Sequence, residues 1–153
     1  MRVEFKLWQS KTVLVLDSCG DDTAYPQALG EVLNLIAEAG ISPTGPPLGC
    51  YPFNDADRTT EQRFQVMLPV AEPIEPPKPL YKDRLPGGLV ASLSCGPGEG
   101  PRAGDYELLC ELIRGSGRRV VGPVYEIYRP TPDNPDDHCT EICLCCEDAA
   151  PRK

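Results

Sequence analysis

The sequence predicts an α+β protein built from two βαββ units related by a pseudo-two-fold axis. The two units form one antiparallel sheet, with two helices packed on one side and a ligand cleft on the other. Gly45-Pro46-Pro47-Leu48-Gly49-Cys50-Tyr51 and Gly122-Pro123-Val124-Tyr125-Glu126-Ile127-Tyr128 share a Gly-Pro-x4-Tyr frame, 77 residues apart. Upstream of each, an apolar run ends in Ser-Cys-Gly (Ser18 to Gly20 and Ser94 to Gly96), and a helical pattern follows. Downstream of each lies another strand-like run, Phe64 to Val70 and Thr140 to Cys146. Two copies of this length do not make a solenoid, whose periods run about 20–50 residues. The 153 residues, 41% of them hydrophobic, suffice for one domain with its own core. That domain is expected over residues 1–148, as a first half 1–72, a Pro-rich connection 73–84 and a second half 85–148. Residues 149–153 are expected as a flexible tail.

Taken in chain order, Val3 to Trp8 and Thr12 to Ser18 read as strands from their apolar and β-branched content. Asp21, Asp22 and Thr23 offer caps for a helix, and Pro26 suits its first turn. Leu29, Val32, Leu33 and Ile36 recur at helical spacing, and Gly40 closes the segment. The second copy has Asp105 as the cap, then Tyr106, Leu109, Cys110 and Ile113 on one face, ended by Gly115 and Gly117. Both stripes read as core faces. Pro73, Pro76, Pro77 and Pro79 mark an extended connection that cannot enter a central strand. The segment Gly96 to Gly104 reads as a loop.

A net charge of −8, from 23 acidic and 15 basic residues, disfavours direct nucleic-acid binding and suits cationic small molecules or basic protein patches. No apolar run is long enough to span a bilayer, so no membrane partner is expected. Met1 to Trp8 lacks the apolar core of a signal peptide, which predicts a cytoplasmic protein. The eight cysteines are then expected as reduced thiols. His138-Cys139-Thr140-Glu141-Ile142-Cys143-Leu144-Cys145-Cys146 is the one tempting metal cluster. In a strand, however, Cys143 and Cys145 face one way and Ile142, Leu144 and Cys146 the other, without paired Cys-x2-Cys spacing. Buried structural cysteines are the expected reading, with His138 in a loop and neither metal nor cofactor.

Strand alternation locates a candidate site. Val124, Glu126 and Tyr128 share one face of their strand, and Tyr125 and Ile127 the other. In the first copy Gly49 and Tyr51 match Glu126 and Tyr128, while Leu48 and Cys50 match Tyr125 and Ile127. The Leu48, Cys50, Tyr125 and Ile127 face is apolar in both copies and is assigned to the helices. The opposite face brings Tyr51 and Tyr128 together beside one carboxylate and a space-making glycine. An acid among aromatic rings is a receptor for a lipophilic cation. Trp8, Met67 and Cys143 complete the expected lining.

The Gly-Pro-x-Tyr-Glu-x-Tyr element, followed by Thr140-Glu141-Ile142 and preceded by Leu85-Pro86-Gly87-Gly88, resembles the GyrI-like small-molecule-binding domain. That domain is also the effector-binding part of multidrug-sensing transcription regulators. The resemblance runs from about Arg2 to Glu147. It implies a duplicated βαββ fold, and a glutamate in the second Gly-Pro strand that contacts cationic, lipophilic ligands; here that position is Glu126. It implies aromatic cleft walls such as Tyr51 and Tyr128. Many relatives end each half in an aliphatic-Pro-Val strand. This chain keeps Leu68-Pro69-Val70 in the first copy and has Leu144-Cys145-Cys146 in the second.

Three functional classes follow. The first is a stand-alone binding module that senses or sequesters a lipophilic, cationic compound. The second resembles relatives that hydrolyse electrophilic, cyclopropane-bearing natural products, with Glu126 as base and Tyr51 or Tyr128 donating to a developing oxyanion. The third is a protein-interaction role like that of gyrase-inhibiting relatives, using the acidic surface. The first is the expectation, the second the alternative.

Overall fold

The computed structural model describes residues 2–21, 23–52, 62–96, 103–130 and 138–149. The expected Gly96 to Gly104 loop and the tail lie largely outside these residues. The chain runs β1 (Arg2–Trp8), β2 (Lys11–Gly20), α1 (Ala24–Glu38), β3 (Leu48–Tyr51), β4 (Gln62–Pro69), β5 (Tyr81–Leu85), β6 (Gly88–Ser94), α2 (Ala103–Gly115), β7 (Arg118–Pro130) and β8 (His138–Asp148). It is an α+β fold. The strands form one antiparallel sheet in the order β1-β6-β8-β7-β3-β4-β2-β5. Read from either end, this order exchanges β1 with β5, β6 with β2, β8 with β4 and β7 with β3, as a two-fold axis between β7 and β3 requires.

Each half lends one strand to the other. β1 pairs with β6 of the second half, and β5 pairs with β2 of the first. β5 had no strand signal of its own, because Tyr81-Lys82-Asp83-Arg84-Leu85 alternates charges behind a run of prolines. It lies at an edge, where proline and charge are tolerated. His138, expected in a loop, opens β8 opposite Pro130.

Both helices lie on the same face of the sheet. α1 rests on β2 and β4, and α2 on β6, β7 and β8, with β3 between them. α1 buries Tyr25, Ala28, Val32 and Ile36, while Leu33 is 42% exposed. Of the expected stripe, Val32 and Ile36 are buried and Leu29 packs against the same core, while Leu33 turns outward and Tyr25 and Ala28 complete the buried face. Asp21 Oδ1 accepts from the Thr23 backbone amide at 2.9 Å and from its hydroxyl at 2.6 Å, which fixes the turn into α1. α2 buries Leu109, Cys110 and Ile113 as the pattern predicts.

The helix-covered face differs from the expected one. Leu14, Leu16, Phe64, Val66, Leu68 and Tyr51 pack with α1. Ala91, Leu93, Val124, Ile142 and Leu144 pack with α2. Gly49 pairs with Val66 and Glu126, so Gly49, Tyr51, Glu126 and Tyr128 all lie on the helix side.

The Leu48, Cys50, Tyr125 and Ile127 face has its own core, shared with Val13, Val15, Met67, Leu85 and Cys143. That core forms because the sheet curls until its two edges approach. Trp8 of β1 meets Tyr125 of β7 edge to face, with ring centroids 5.5 Å apart. Arg84 Nε donates to Ser10 Oγ at 3.1 Å between the β5 edge and the β1–β2 connection. With both faces covered, β2 buries five consecutive residues, Thr12 to Leu16, the run expected of a doubly covered strand.

The two Gly-Pro frames sit differently. Gly45 and Pro46 precede β3, whereas Gly122 and Pro123 lie inside the 13-residue β7, at a register shift between Val120 and Val124. Gly122 has φ of 82°, a left-handed conformation that glycine adopts without steric cost and that bulges use.

Candidate ligand-binding site

The site grows from one pair of residues. Gly49 and Glu126 are repeat equivalents, and they are also direct cross-strand partners in the β3–β7 ladder. The pseudo-two-fold axis therefore passes through this pair. Their neighbours Tyr51 and Tyr128 are equivalents too, and their hydroxyls meet across the axis at 2.9 Å.

Gly49 makes that meeting possible. A Cβ at residue 49 would lie 2.7 Å from Tyr51 Cε2, 2.9 Å from the Tyr51 hydroxyl and 3.0 Å from the Tyr128 hydroxyl. The missing side chain is the space in which the two phenols cross.

Glu126 is 2% exposed, and a buried carboxylate needs donors to replace water. Tyr128 supplies one from the same strand, its hydroxyl donating to Oε1 at 3.1 Å. Tyr106 supplies another from α2, donating to Oε2 at 2.6 Å. A phenol has one proton, so with Tyr128 donating to Glu126, Tyr51 donates to Tyr128. The chain Tyr51, Tyr128, Glu126 is thus ordered, each member polarising the next.

Two further rings enclose it. Tyr25, in the first turn of α1, packs against Tyr128 with centroids 4.7 Å apart. Phe64 stacks on Tyr51 at 5.9 Å. The Tyr25 hydroxyl is buried and makes no hydrogen bond among the described residues. Burial first, then Tyr51 and Glu126, hold the Tyr25 phenol well above its usual pKa. Tyr128 is raised likewise, by burial and then by Glu126. Both phenols stay protonated donors across the neutral range.

An open cleft of about 720 Å³ lies at the ends of β2 and β3, lined by Ser18, Cys50, Tyr51, Pro52 and Phe64 among others. Tyr51 and Phe64 belong both to this cleft and to the ring cluster, and Glu126 connects to the cleft through Tyr128 and Tyr51.

Of the residues expected in the site, the structure brings together Gly49, Tyr51, Glu126 and Tyr128. Trp8, Met67 and Cys143 lie elsewhere, in the core on the far side of the sheet. Met67 pairs with Leu48, Cys143 with Tyr125, and Trp8 packs on Tyr125. In each case period-two alternation carries the side chain away from Glu126.

Tyr25 and Tyr106 are the members that strand patterns did not reveal. Tyr106 was visible as part of the α2 stripe but read as plain core. A phenol within an otherwise aliphatic stripe is the usable signal, because its hydroxyl needs a buried partner. Among the described residues, no group of three or more His, Cys, Asp or Glu side chains is placed to hold a metal ion. None of the seven described cysteines is in a disulfide. The side chains of His138 and Cys139 fall outside the described residues.

A single pseudo-symmetric sheet with two helices over one face, and a buried glutamate ringed by phenols at its axis, defines a small-molecule-binding class of domain. The chain belongs to the GyrI-like small molecule binding domain family, whose model matches residues 1–145. The C-terminal domain of EcmrR has the same fold, with a TM-score of 0.83 at 13% identity over 97% of this chain and 98% of that one. In the complex of EcmrR with DNA the TM-score is 0.80, and the match covers 58% of the EcmrR chain. A hydrolase from Listeria innocua matches with a TM-score of 0.66 at 15% identity, over 95% of this chain and 92% of that one. SAV2435 bound to tetraphenylphosphonium matches with a TM-score of 0.55 at 15% identity, over 96% and 94%. No curated protein matches the sequence. Among the described residues, no helix is long and apolar enough to cross a membrane.

Proposed function

We propose that this domain binds a lipophilic cation against the Tyr51 and Phe64 rings, with Glu126 supplying the charge. One observation carries the reading: a carboxylate 2% exposed sits inside a cluster of four tyrosines and is linked through Tyr128 to Tyr51, which lines the cleft. Aromatic faces attract cations and exclude water, and the hydrogen-bond chain carries the negative charge of Glu126 outward to the Tyr51 oxygen. The tetraphenylphosphonium held by the structural relative SAV2435 is a ligand of this chemistry, and the net charge of −8 favours cation capture.

The test is calorimetric titration with tetraphenylphosphonium and with the neutral triphenylphosphine oxide, for the wild type and Glu126→Gln. A unit charge seated beyond Tyr51, about 8–10 Å from the carboxylate, at an effective dielectric near 20, contributes roughly 1.7–2.1 kcal/mol. Glu126→Gln should therefore weaken the cation about 15- to 30-fold and leave the neutral compound unaffected. Equal affinity of wild type and variant for the cation would remove Glu126 from the site. The hydrolytic alternative uses the same carboxylate, as general base. Mass spectrometry of electrophilic natural products after incubation separates the two. Recovery of the compound unchanged supports binding; recovery with one water added, lost in Glu126→Gln, supports hydrolysis.

A further inference from the structure

The two edges of the sheet are finished differently. β5 exposes Tyr81, Lys82, Asp83 and Arg84, charges that discourage pairing with another strand. β1, at the opposite edge, exposes an apolar row on its helix side: Val3 at 37%, Phe5 at 39% and Leu7 at 79%. The Arg118 guanidinium lies 5.0 Å from the Phe5 ring centroid, holding the ring in place while leaving it open to solvent. On the other face of β1, Lys6 pairs with Glu141 and lies 3.6 Å from Glu4. A seven-residue edge strand with an apolar row and no proline or bulge is a template for a further strand.

The sequence of β1 specifies which strand fits. Val3-Glu4-Phe5-Lys6-Leu7 is self-complementary when laid antiparallel on itself with Phe5 at the centre. Phe5 then faces the second copy's Phe5 once, on the axis, while Val3 faces Leu7 and Glu4 faces Lys6 twice each. Directly opposite residues share a face of the sheet, so the apolar row continues across the join on the helix side and the charges alternate on the other. Neighbouring registers fail. A shift centred on Glu4 or Lys6 puts like charges opposite each other. A shift by a single residue sets the apolar row of one copy against the charged row of the other.

We propose that β1 is a homodimerisation edge: two copies pair antiparallel through β1 about a two-fold axis at Phe5, joining their sheets into one. The interface is isologous, as closed dimers require. In the strand order it lies at the opposite end from β5, and four strands from β3, which carries Tyr51.

The test is sedimentation equilibrium of the full chain across the micromolar range, with two variants, one at Leu7, which is 79% exposed, and one at the half-buried Glu4. The wild type should sediment at twice the chain mass of 16.7 kDa. Leu7→Lys breaks the apolar row, and Glu4→Lys sets a lysine opposite the second copy's Lys6 at two places. Each variant should fall to 16.7 kDa, Leu7→Lys with its thermal midpoint in dilute solution unchanged. A wild type that stays monomeric throughout, or a dimer that survives both substitutions, would overturn the proposal. The register is read separately in a Cys19→Ser background, where Phe5→Cys should form a disulfide-linked dimer on mild oxidation and Leu7→Cys should not. The reverse result would sink the Phe5-centred pairing.

Discussion

Gly49→Ala tests the geometry of the site most directly. Gly49 does not have a positive φ, so alanine fits its backbone. By itself the change would stabilise the fold by about 0.4–1 kcal/mol through the unfolded chain. The native packing opposes it. The new Cβ would lie 2.7 Å from Tyr51 Cε2, against an ordinary contact of at least 3.4 Å, so the ring must retreat by 3.4 − 2.7 = 0.7 Å. Phe64, which stacks on it, and the tie of its hydroxyl to Tyr128 oppose that retreat, although one side of the ring borders the cleft. Overpacking of this kind costs about 1–3 kcal/mol, which leaves a net destabilisation of up to about 2.6 kcal/mol. For a chain of this length that lowers the thermal midpoint by up to about 10 °C. The assay is thermal and urea unfolding of Gly49→Ala alone and in a Tyr51→Leu background. Leucine removes the two nearest clashing atoms, so alanine there should be neutral or stabilising, a coupling read by the double-mutant cycle. A raised midpoint for the single variant, or no coupling between Gly49→Ala and Tyr51→Leu, would refute the claim that glycine is required for the tyrosines to cross.

Other consequences lie on the far side of the sheet. Glu141 is 5% exposed; burial pushes its pKa up, but Lys6, Ser92 and Arg129 together outweigh burial and hold it below the usual carboxylate value. Burial opposes the Lys6 charge, and Glu141 outweighs it to raise the Lys6 pKa. A depressed carboxylate contributes stability above its unfolded pKa that is lost as pH falls through the lower folded value; a raised lysine contributes below its unfolded pKa and is lost as pH rises through the higher folded value. The wild type should therefore lose more stability than Lys6→Met as pH falls through the carboxylate range, so that the two midpoints converge at acid pH, and parallel profiles would contradict the pairing. Thiol reactivity should follow burial. Burial pushes Cys50 up to about 12 and raises Cys143 strongly, whereas Cys19 is exposed. Iodoacetamide at neutral pH should alkylate Cys19 and spare Cys50 and Cys143 until the protein unfolds, as peptide mass spectrometry would show.

The repeat made the strand–helix–strand–strand order legible, because a Gly-Pro-x4-Tyr frame twice in one chain constrains both halves at once. The alternation of Val124, Glu126 and Tyr128 against Tyr125 and Ile127 was legible for the same reason. Which of those faces the helices cover was not. Apolar content pointed to the Leu48 and Tyr125 face, since a helix usually covers the most apolar side of a sheet. That inference fails here because the sheet curls, and its far face is buried by its own edges through Trp8 and Arg84. Curl depends on how distant strands twist and meet, and no short window of sequence reports it. β5 was hidden for a related reason: an edge strand borrowed by the opposite half needs neither alternation nor apolar residues.

The site also shows why a duplicated fold departs from symmetry at one position. At the axis a residue faces its own equivalent, so identical residues there give one of two poor sites. Two glutamates would set carboxylates side by side, and one would be driven neutral by the other. Two glycines would leave a hole without charge. Gly49 opposite Glu126 avoids both: one half supplies a single carboxylate, and the other supplies the room in which Tyr51 and Tyr128 cross. The tyrosines keep the symmetry of position but not of role, since Tyr128 donates to Glu126 and Tyr51 donates to Tyr128. The helices complete the asymmetry. Tyr106 of α2 reaches Glu126, while its equivalent on α1 is Leu29, 77 residues earlier, and the α1 phenol comes from Tyr25 one turn before. A single buried charge approached by unequal walls suits the lipophilic cation proposed as the ligand. Symmetry builds the sheet, and its local failure at residues 49 and 126 builds the site.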